Sequence, residues 1–224
     1  MGRAKEIEVR VMPAKIGNAF IKRHHYSRKV VPNSQLHFGA FLDGKLHGVM
    51  SYGPPTDKSK VIGLVDGTEW YGMLELNRMA FDEYLPRNSE SYCISKSIKL
   101  IRKHAPQVKW ILSFADGCQC GDGTIYRASN FVLTGIKKNS TIRIDTDGNT
   151  FSNLTYSAHK PNEKQYLENS TLLDGYQLRY IYFIDKSYRQ RLTVPEIPFS
   201  KIDEIGAGMY KGQKVTLAER HVGK

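Results

Sequence analysis

A chain of 224 residues, 40% hydrophobic and 25% charged, is long enough to bury a core in one domain or two small ones, which excludes disorder as its dominant state. Lys and Arg number 33 against 22 Asp and Glu, a formal net charge of +11 that forms no detachable tail. The excess points to a polyanionic partner, since neutralised phosphates release counterions, with a merely basic soluble enzyme as the alternative. The three cysteines lack regular spacing, the start Met-Gly-Arg-Ala-Lys-Glu has no apolar signal core, and no apolar run is long enough to span a bilayer. These readings predict a cytoplasmic chain with no membrane partner.

In chain order, Glu8–Val11 reads as a short strand, and Pro13 opens a helix ending near His24 and His25 with Ile16, Ala19 and Phe20 on one face. A hairpin follows: Leu36–Leu42, the turn pair Asp43-Gly44, then Leu46–Tyr52. Strands are predicted at Val61–Val65 and Tyr71–Phe81, across Asp66-Gly67. Pro86 and Asn88 announce a helix over Ser89–His104, stopped by Pro106, with Ile94, Ile98 and Ile101 on one face and Lys96, Lys99 and Lys103 on the other. Val108–Ala115 has the continuous apolar character of a strand covered on both sides, and it leads through a glycine-rich loop to a short helix, Thr124–Ser129, ended by Asn130-Phe131. Strands over Val132–Ile144, Thr150–Ser157 and Leu178–Ile184 and an extended wrap of about forty residues complete the chain. The expected architecture is mixed α/β, and no G-x-G-x-x-G follows a strand as a dinucleotide site would require.

Four places combine reactive side chains with element ends. His25 and Tyr26 pair an imidazole with a phenol at the end of the first helix, where simple C-capping is the alternative. Arg78, in Glu75-Leu76-Asn77-Arg78, needs an anion, supplied by either a structural carboxylate or a substrate. Arg87-Asn88-Ser89-Glu90-Ser91 opens the central helix, where free amides suit an anion and an ordinary cap is the alternative. Asp116 ends a buried strand before the loop Gly117–Gly123 and the helix bearing Tyr126, so it serves either as an acid/base group or as a loop cap. Cys118 and Cys120 fall short of a four-ligand signature, and a metal is the lesser alternative.

Taken in order, His25-Tyr26, Glu75–Arg78, Pro86–Ser91, Ser113–Asp116 and Gly123–Phe131 resemble the Mom family of phage DNA-modification proteins over roughly residues 15–135, with a weaker echo at Arg179–Phe183 and Pro195–Lys201. The resemblance implies a GNAT acyltransferase-like fold: a central, splayed, mostly antiparallel sheet flanked by helices. That fold would form a single domain, with a core near residues 8–157 and a β-rich C-terminal extension near 158–224. It implies a transferase that gives adenine in double-stranded DNA a carbamoylmethyl group at its exocyclic amine, a modification associated with restriction evasion, in the host cytoplasm if phage-encoded. His25, Tyr26, Asp116 and Tyr126 would be catalytic, Arg78, Arg87, Asn88, Ser89 and Ser91 would bind the donor, and Arg23, Arg28 and Lys29 would contact DNA. Acetyl-CoA and an aminoacyl (glycyl) donor both stay open, because the segment at the head of the central helix holds no glycine. A homodimer is left open. The competing readings are an N-acyltransferase for a protein or small amine, and a non-catalytic DNA-binding protein.

Overall fold

A computed structural model describes residues 3–152 and 167–216 together with Glu219. Its elements are strand β1 (Glu8–Val11), helix α1 (Ala14–His24), β2 (Leu36–Leu42), β3 (Lys45–Gly53), α2 (Lys58–Ile62), β4 (Met73–Phe81), α3 (Ser89–His104), β5 (Trp110–Asp116), α4 (Thr124–Ala128), β6 (Val132–Lys138), β7 (Ile142–Asp145), β8 (Thr150–Ser152), β9 (Ser170–Leu172), β10 (Tyr176–Phe183), α5 (Ser200–Glu204), β11 (Met209–Tyr210) and β12 (Gln213–Lys214). Residues divide into two compact units. The first gathers the chain up to Phe114, Thr124–Thr134 and Arg179–Ile197; the second gathers Ala115–Gly123, the described residues from Gly135 to Leu178, and those from Pro198 onward.

The main sheet runs β1-β2-β3-β4-β5-β10-β6. Its first four strands are antiparallel neighbours, and β4 pairs with β5 in parallel. The β2–β3 hairpin turns through Asp43 and Gly44, with φ of 51° and 73°, the left-handed pair that a tight two-residue turn demands. Parallel pairing of β4 with β5 covers only Met73↔Trp110, Leu74↔Ile111 and Glu75↔Leu112, although both strands continue. Just beyond, the β3–β4 register slips: Tyr52 faces Leu76 and Ser51 faces Arg78, so Asn77 is an extra, bulged residue. A bulge adds local twist, and it sits where β4 stops pairing with β5.

Two apolar clusters of the first unit hold the sheet to its surroundings. Met12, Ile21, Val49 and Ala80 join α1 to β3 and β4. Leu64, Val65, Met73, Trp110, Leu112 and Ile181 pack around the β4–β5 pair. Helix α3 buries Cys93, Ile94, Ser97, Ile98 and Ile101, the face expected from its periodicity, and starts and stops where Asn88 and Pro106 predict.

Several expectations need correction. Val61–Val65 is not a strand: residues up to Ile62 are helical, and Leu64 and Val65 donate back to the carbonyls of Val61 and Ile62 at 3.1 and 3.5 Å. Only Val65 makes a bridge, to Leu192. A short apolar run carries no period that separates strand from helix. In α1 the buried residues are Gly17 and Ile21, while Ile16 is exposed; Gly17 lets the helix lie against His37 and Val49, 3.4 Å from where a Cβ would stand. Val132–Ile144 is two strands, because Asn139 turns the chain: its Oδ1 accepts from the Thr141 and Ile142 amides, and its Nδ2 donates to the Ile142 and Leu173 carbonyls. The closing wrap contains a 3₁₀ turn at Lys186–Arg191, α5 and the β11–β12 pair. The end of the Thr150–Ser157 strand lies outside the described residues beyond Ser152.

Candidate active site

The bulge on β4 organises the site in the first unit. Strand alternation places Arg78 across from Ser51 and Glu75 across from Gly53, on the face where Ser51 meets His37 (Oγ to Nδ1, 2.8 Å). Helix α1 packs against that same face and ends at His25. His25 is 9% exposed and its ring packs at a tilt of 32° against the exposed Tyr26, centroids 4.3 Å apart.

The state of His25 follows from its neighbours. The Ser27 backbone N–H donates to His25 Nδ1 at 3.2 Å, and Ser27 Oγ lies 2.8 Å from the same atom. An Nδ1 that accepts carries no proton, so the neutral ring holds its hydrogen on Nε2. Burial, helped by the charge of Arg78, pushes His25 down to about 4. His25 is therefore a neutral Nε2–H donor at physiological pH, not a base there.

Glu75 has the opposite character. Burial pushes its carboxyl up to about 7, against the opposing pull of Arg78, and among the described residues its side chain makes neither a hydrogen bond nor an ion pair. A recessed carboxylate with no protein partner and a proton affinity near neutral pH is suited to take a proton. Sequence reading quoted Glu75 inside its motif but assigned it no role. The signal is a carboxyl three residues before Arg78 in a strand that is mostly apolar.

Arg78 is held by carbonyls: Nε donates to Lys29 O at 3.0 Å and Nη1 to Asn77 O at 2.7 Å. No carboxylate among the described residues forms an ion pair with it, so the structural salt bridge offered as one explanation of this arginine is not made. Asn77 adds a buried, unsatisfied donor at the bulge. Its Oδ1 accepts from Ser34 Oγ at 2.8 Å, while its Nδ2 has no partner among the described residues.

Tyr126 belongs to a different cluster of the same unit. It is 9% exposed, packs on Phe131 and Tyr180 with centroids 5.3 and 5.2 Å away, and interacts electrostatically with Tyr52. Tyr52 alternates with Ser51, so it lies on the α3 side of the sheet, where its hydroxyl meets Ser97 Oγ at 2.7 Å. His25 and Arg78 are thus brought together on the α1 side, and Tyr126 is grouped with the α3 side.

At the head of α3, Asn88 takes a left-handed conformation (φ 68°). The hydroxyls of Ser89 and Ser91 turn inward to the carbonyls of Pro86 and Asn88. The first-turn amides of Glu90 and Ser91 have no acceptor among the described residues, as helix starts leave them. Arg87, Asn88 and Ser91 line a groove of about 470 Å³ with Lys5, Asn130 and Tyr182. Two cations and free amides fit it to an anionic group.

Asp116, in the second unit, is a hydrogen-bond hub. Its carboxylate accepts from Cys118 N at 3.0 Å, Gln119 Nε2 at 2.8 Å and Gln177 Nε2 at 3.0 Å, and its main-chain oxygen accepts from the Cys120 and Gly121 amides. Burial pushes the Cys118 thiol up to about 11 and raises Cys120 as well, which keeps both protonated and poor as ligands or nucleophiles. Among the described residues no three His, Cys, Asp or Glu side chains gather as a metal site would need. Arg23, Arg28 and Lys29 are all exposed around the end of α1, and Arg28 holds a left-handed turn (φ 50°). No helix of the described residues is long and apolar enough to cross a membrane.

Comparison with known proteins adds independent findings. A model of the Mom protein family matches residues 6–201. The methylcarbamoylase mom of Escherichia phage Mu is 36% identical over 197 residues, covering 85% of this chain and 80% of that protein. Among solved structures, the spermidine/spermine N-acetyltransferase SpeG from Vibrio cholerae superposes with a TM-score of 0.50 at 8% identity, over 84% of this chain and 99% of that one. An IAA acetyltransferase from Bacillus cereus gives 0.48 at 10% identity, over 79% and 99%. The fold is the GNAT-like acetyltransferase fold that the sequence led us to expect, with extra strands.

Proposed function

The chain belongs to the Mom protein family, and from that premise we propose that it modifies DNA, adding a carbamoylmethyl group to the exocyclic amine of adenine. The observation that carries the chemistry is the Glu75 carboxylate, which makes no hydrogen bond or ion pair among the described residues, at the bulge where β4 leaves β5, with Arg78 near enough to act electrostatically on both Glu75 and His25. An exocyclic amine conjugated into a purine is a weak nucleophile and must lose a proton as it forms a new bond. Glu75 takes that proton. His25 Nε2–H and the buried Nδ2 of Asn77 donate to oxygens or ring nitrogens that gain negative charge, and Arg78 neutralises an anionic part of the donor.

The amine is paired within duplex DNA, so the target adenine leaves the stack to react. Tyr26 offers an exposed ring, backed by His25, on which the extruded base can lie. Arg23, Arg28 and Lys29, on the same turn, take the flanking phosphates. The donor has to supply every atom of the carbamoylmethyl group. An aminoacyl (glycyl) donor does so: its –CO–CH2–NH2 leaves its carrier and then isomerises to –CH2–CO–NH2 on the adenine nitrogen. Acetyl-CoA lacks the nitrogen and would need a separate amine source. The donor's anionic end lies at the head of α3, where Arg87 and the amides near Ser89 and Ser91 hold it, with Asn88 shaping the turn. Tyr126, packed with Phe131 and Tyr180 on the α3 side, takes no part in the proton transfer at Glu75. Asp116 orients Gln119 and Gln177 within the second unit.

Mass analysis of nucleosides from the DNA of cells expressing the protein tests this. Modified deoxyadenosine with the parent chain, and none with Glu75→Gln or His25→Ala, is the expected result. Unmodified DNA at good expression of the parent would remove the proposal.

A further inference from the structure

Lys58, at the start of α2, is 8% exposed, and its ammonium makes no hydrogen bond and no ion pair among the described residues. Its neighbour Asp57 is occupied by Lys60 at 2.6 Å and by Ser59. Instead Nζ lies 4.7 Å from the ring centroid of Trp70 and 5.6 Å from that of Tyr71. A buried ammonium without an anion is costly, and aromatic faces offset only part of that cost. Burial lowers its proton affinity accordingly.

The two rings are themselves anomalous, for Trp70 is 55% and Tyr71 75% exposed. The turn that carries them is tightly held. Thr68 Oγ1 donates to Val65 O at 2.6 Å and accepts from Trp110 Nε1 at 2.9 Å; Gly72 N donates to Glu69 O and Lys109 N to Gly72 O. Adjacent aromatics presented on a fixed turn, with an unpaired cation against them, match a nucleotide: the rings stack on a base and the ammonium takes a phosphate. An apolar protein partner would cover the rings and leave the cation unanswered. The net charge of +11 favours the polyanion again.

We propose that Lys58, Trp70 and Tyr71 form a second DNA contact, apart from the residues that do the chemistry, holding one unstacked base against the rings and its phosphate at Lys58. The inference rests on DNA being the substrate, and its test is chosen to separate the two ideas. Trp70 is one of two tryptophans, and the other, Trp110, is fully buried, so a change in emission on adding DNA reports Trp70. The full chain is titrated with a short duplex carrying a single-stranded overhang, followed by emission and, with a labelled strand, by anisotropy.

Quenching with the parent is expected. Trp70→Ala should weaken binding about tenfold, and Trp70→Phe should keep affinity while abolishing the quench. Lys58→Met should lower the salt slope of binding by about one phosphate. If the parent binds the duplex while Trp70 emission stays unmoved and all three variants bind alike, the contact is wrong and the DNA-modification proposal survives. If the parent binds no DNA at all, both fall.

Discussion

Replacing Glu75 with Gln tests the assignment of the proton acceptor without requiring any substrate. The glutamine keeps the shape and removes the charge. Glu75 in the folded chain is pushed from an ordinary 4.5 up to about 7, with burial as the larger cause. A carboxyl whose folded pKa is raised contributes stability that is fully present below pH 4.5 and is lost as pH rises through about 7. Each tenfold change in proton affinity is worth ~1.4 kcal/mol, so the ionised carboxylate costs the fold about 3 kcal/mol at pH 8. Water reaching the recess screens part of this, and ~1–3 kcal/mol is expected. Urea unfolding of parent and Glu75→Gln at pH 4.5 and pH 8 measures it. The two proteins should match at pH 4.5, and the variant should be the more stable at pH 8 while making no product. A stability difference that does not change with pH would show that Glu75 ionises normally, and the reasoning that makes it the base would fail.

Other expectations follow from the same geometry. Turnover of the parent should rise with pH through about 7 as Glu75 ionises, with no inflection from His25 above pH 5, because that ring titrates near 4. His25→Gln, which retains an N–H donor, should keep more activity than His25→Ala, which should lose ~100-fold or more; equal losses would mean that the ring acts by shape alone. Arg78→Lys should not rescue Arg78→Ala, since one ammonium cannot reproduce two carbonyl contacts and still face an anion. Gly53→Ala should destabilise the fold by ~1–3 kcal/mol in urea titrations, because its Cβ would fall 2.3 Å from the Asn33 carbonyl oxygen, a backbone atom that cannot turn aside.

Local chemistry written into the chain was enough for the elements whose signals are local. Helix α3 lies between Asn88 and Pro106, and the β2–β3 hairpin turns on Asp43-Gly44, because caps and left-handed turn residues act within a few positions. The order of the motifs was likewise enough to point to the Mom family and, through it, to the fold. Where outcomes depended on distant partners, the chain alone pointed elsewhere. The Val61–Val65 segment coils because its amides find acceptors in the preceding turn, and Asn139 breaks a strand by reaching Leu173. The roles at the site were decided the same way. His25 is a donor because the Ser27 amide occupies Nδ1, and Glu75 holds its proton to about 7 because the folded chain removes water and supplies no partner. Proton affinity is set by desolvation and neighbouring charge, which exist only once β4, α1 and the turn after it are packed together.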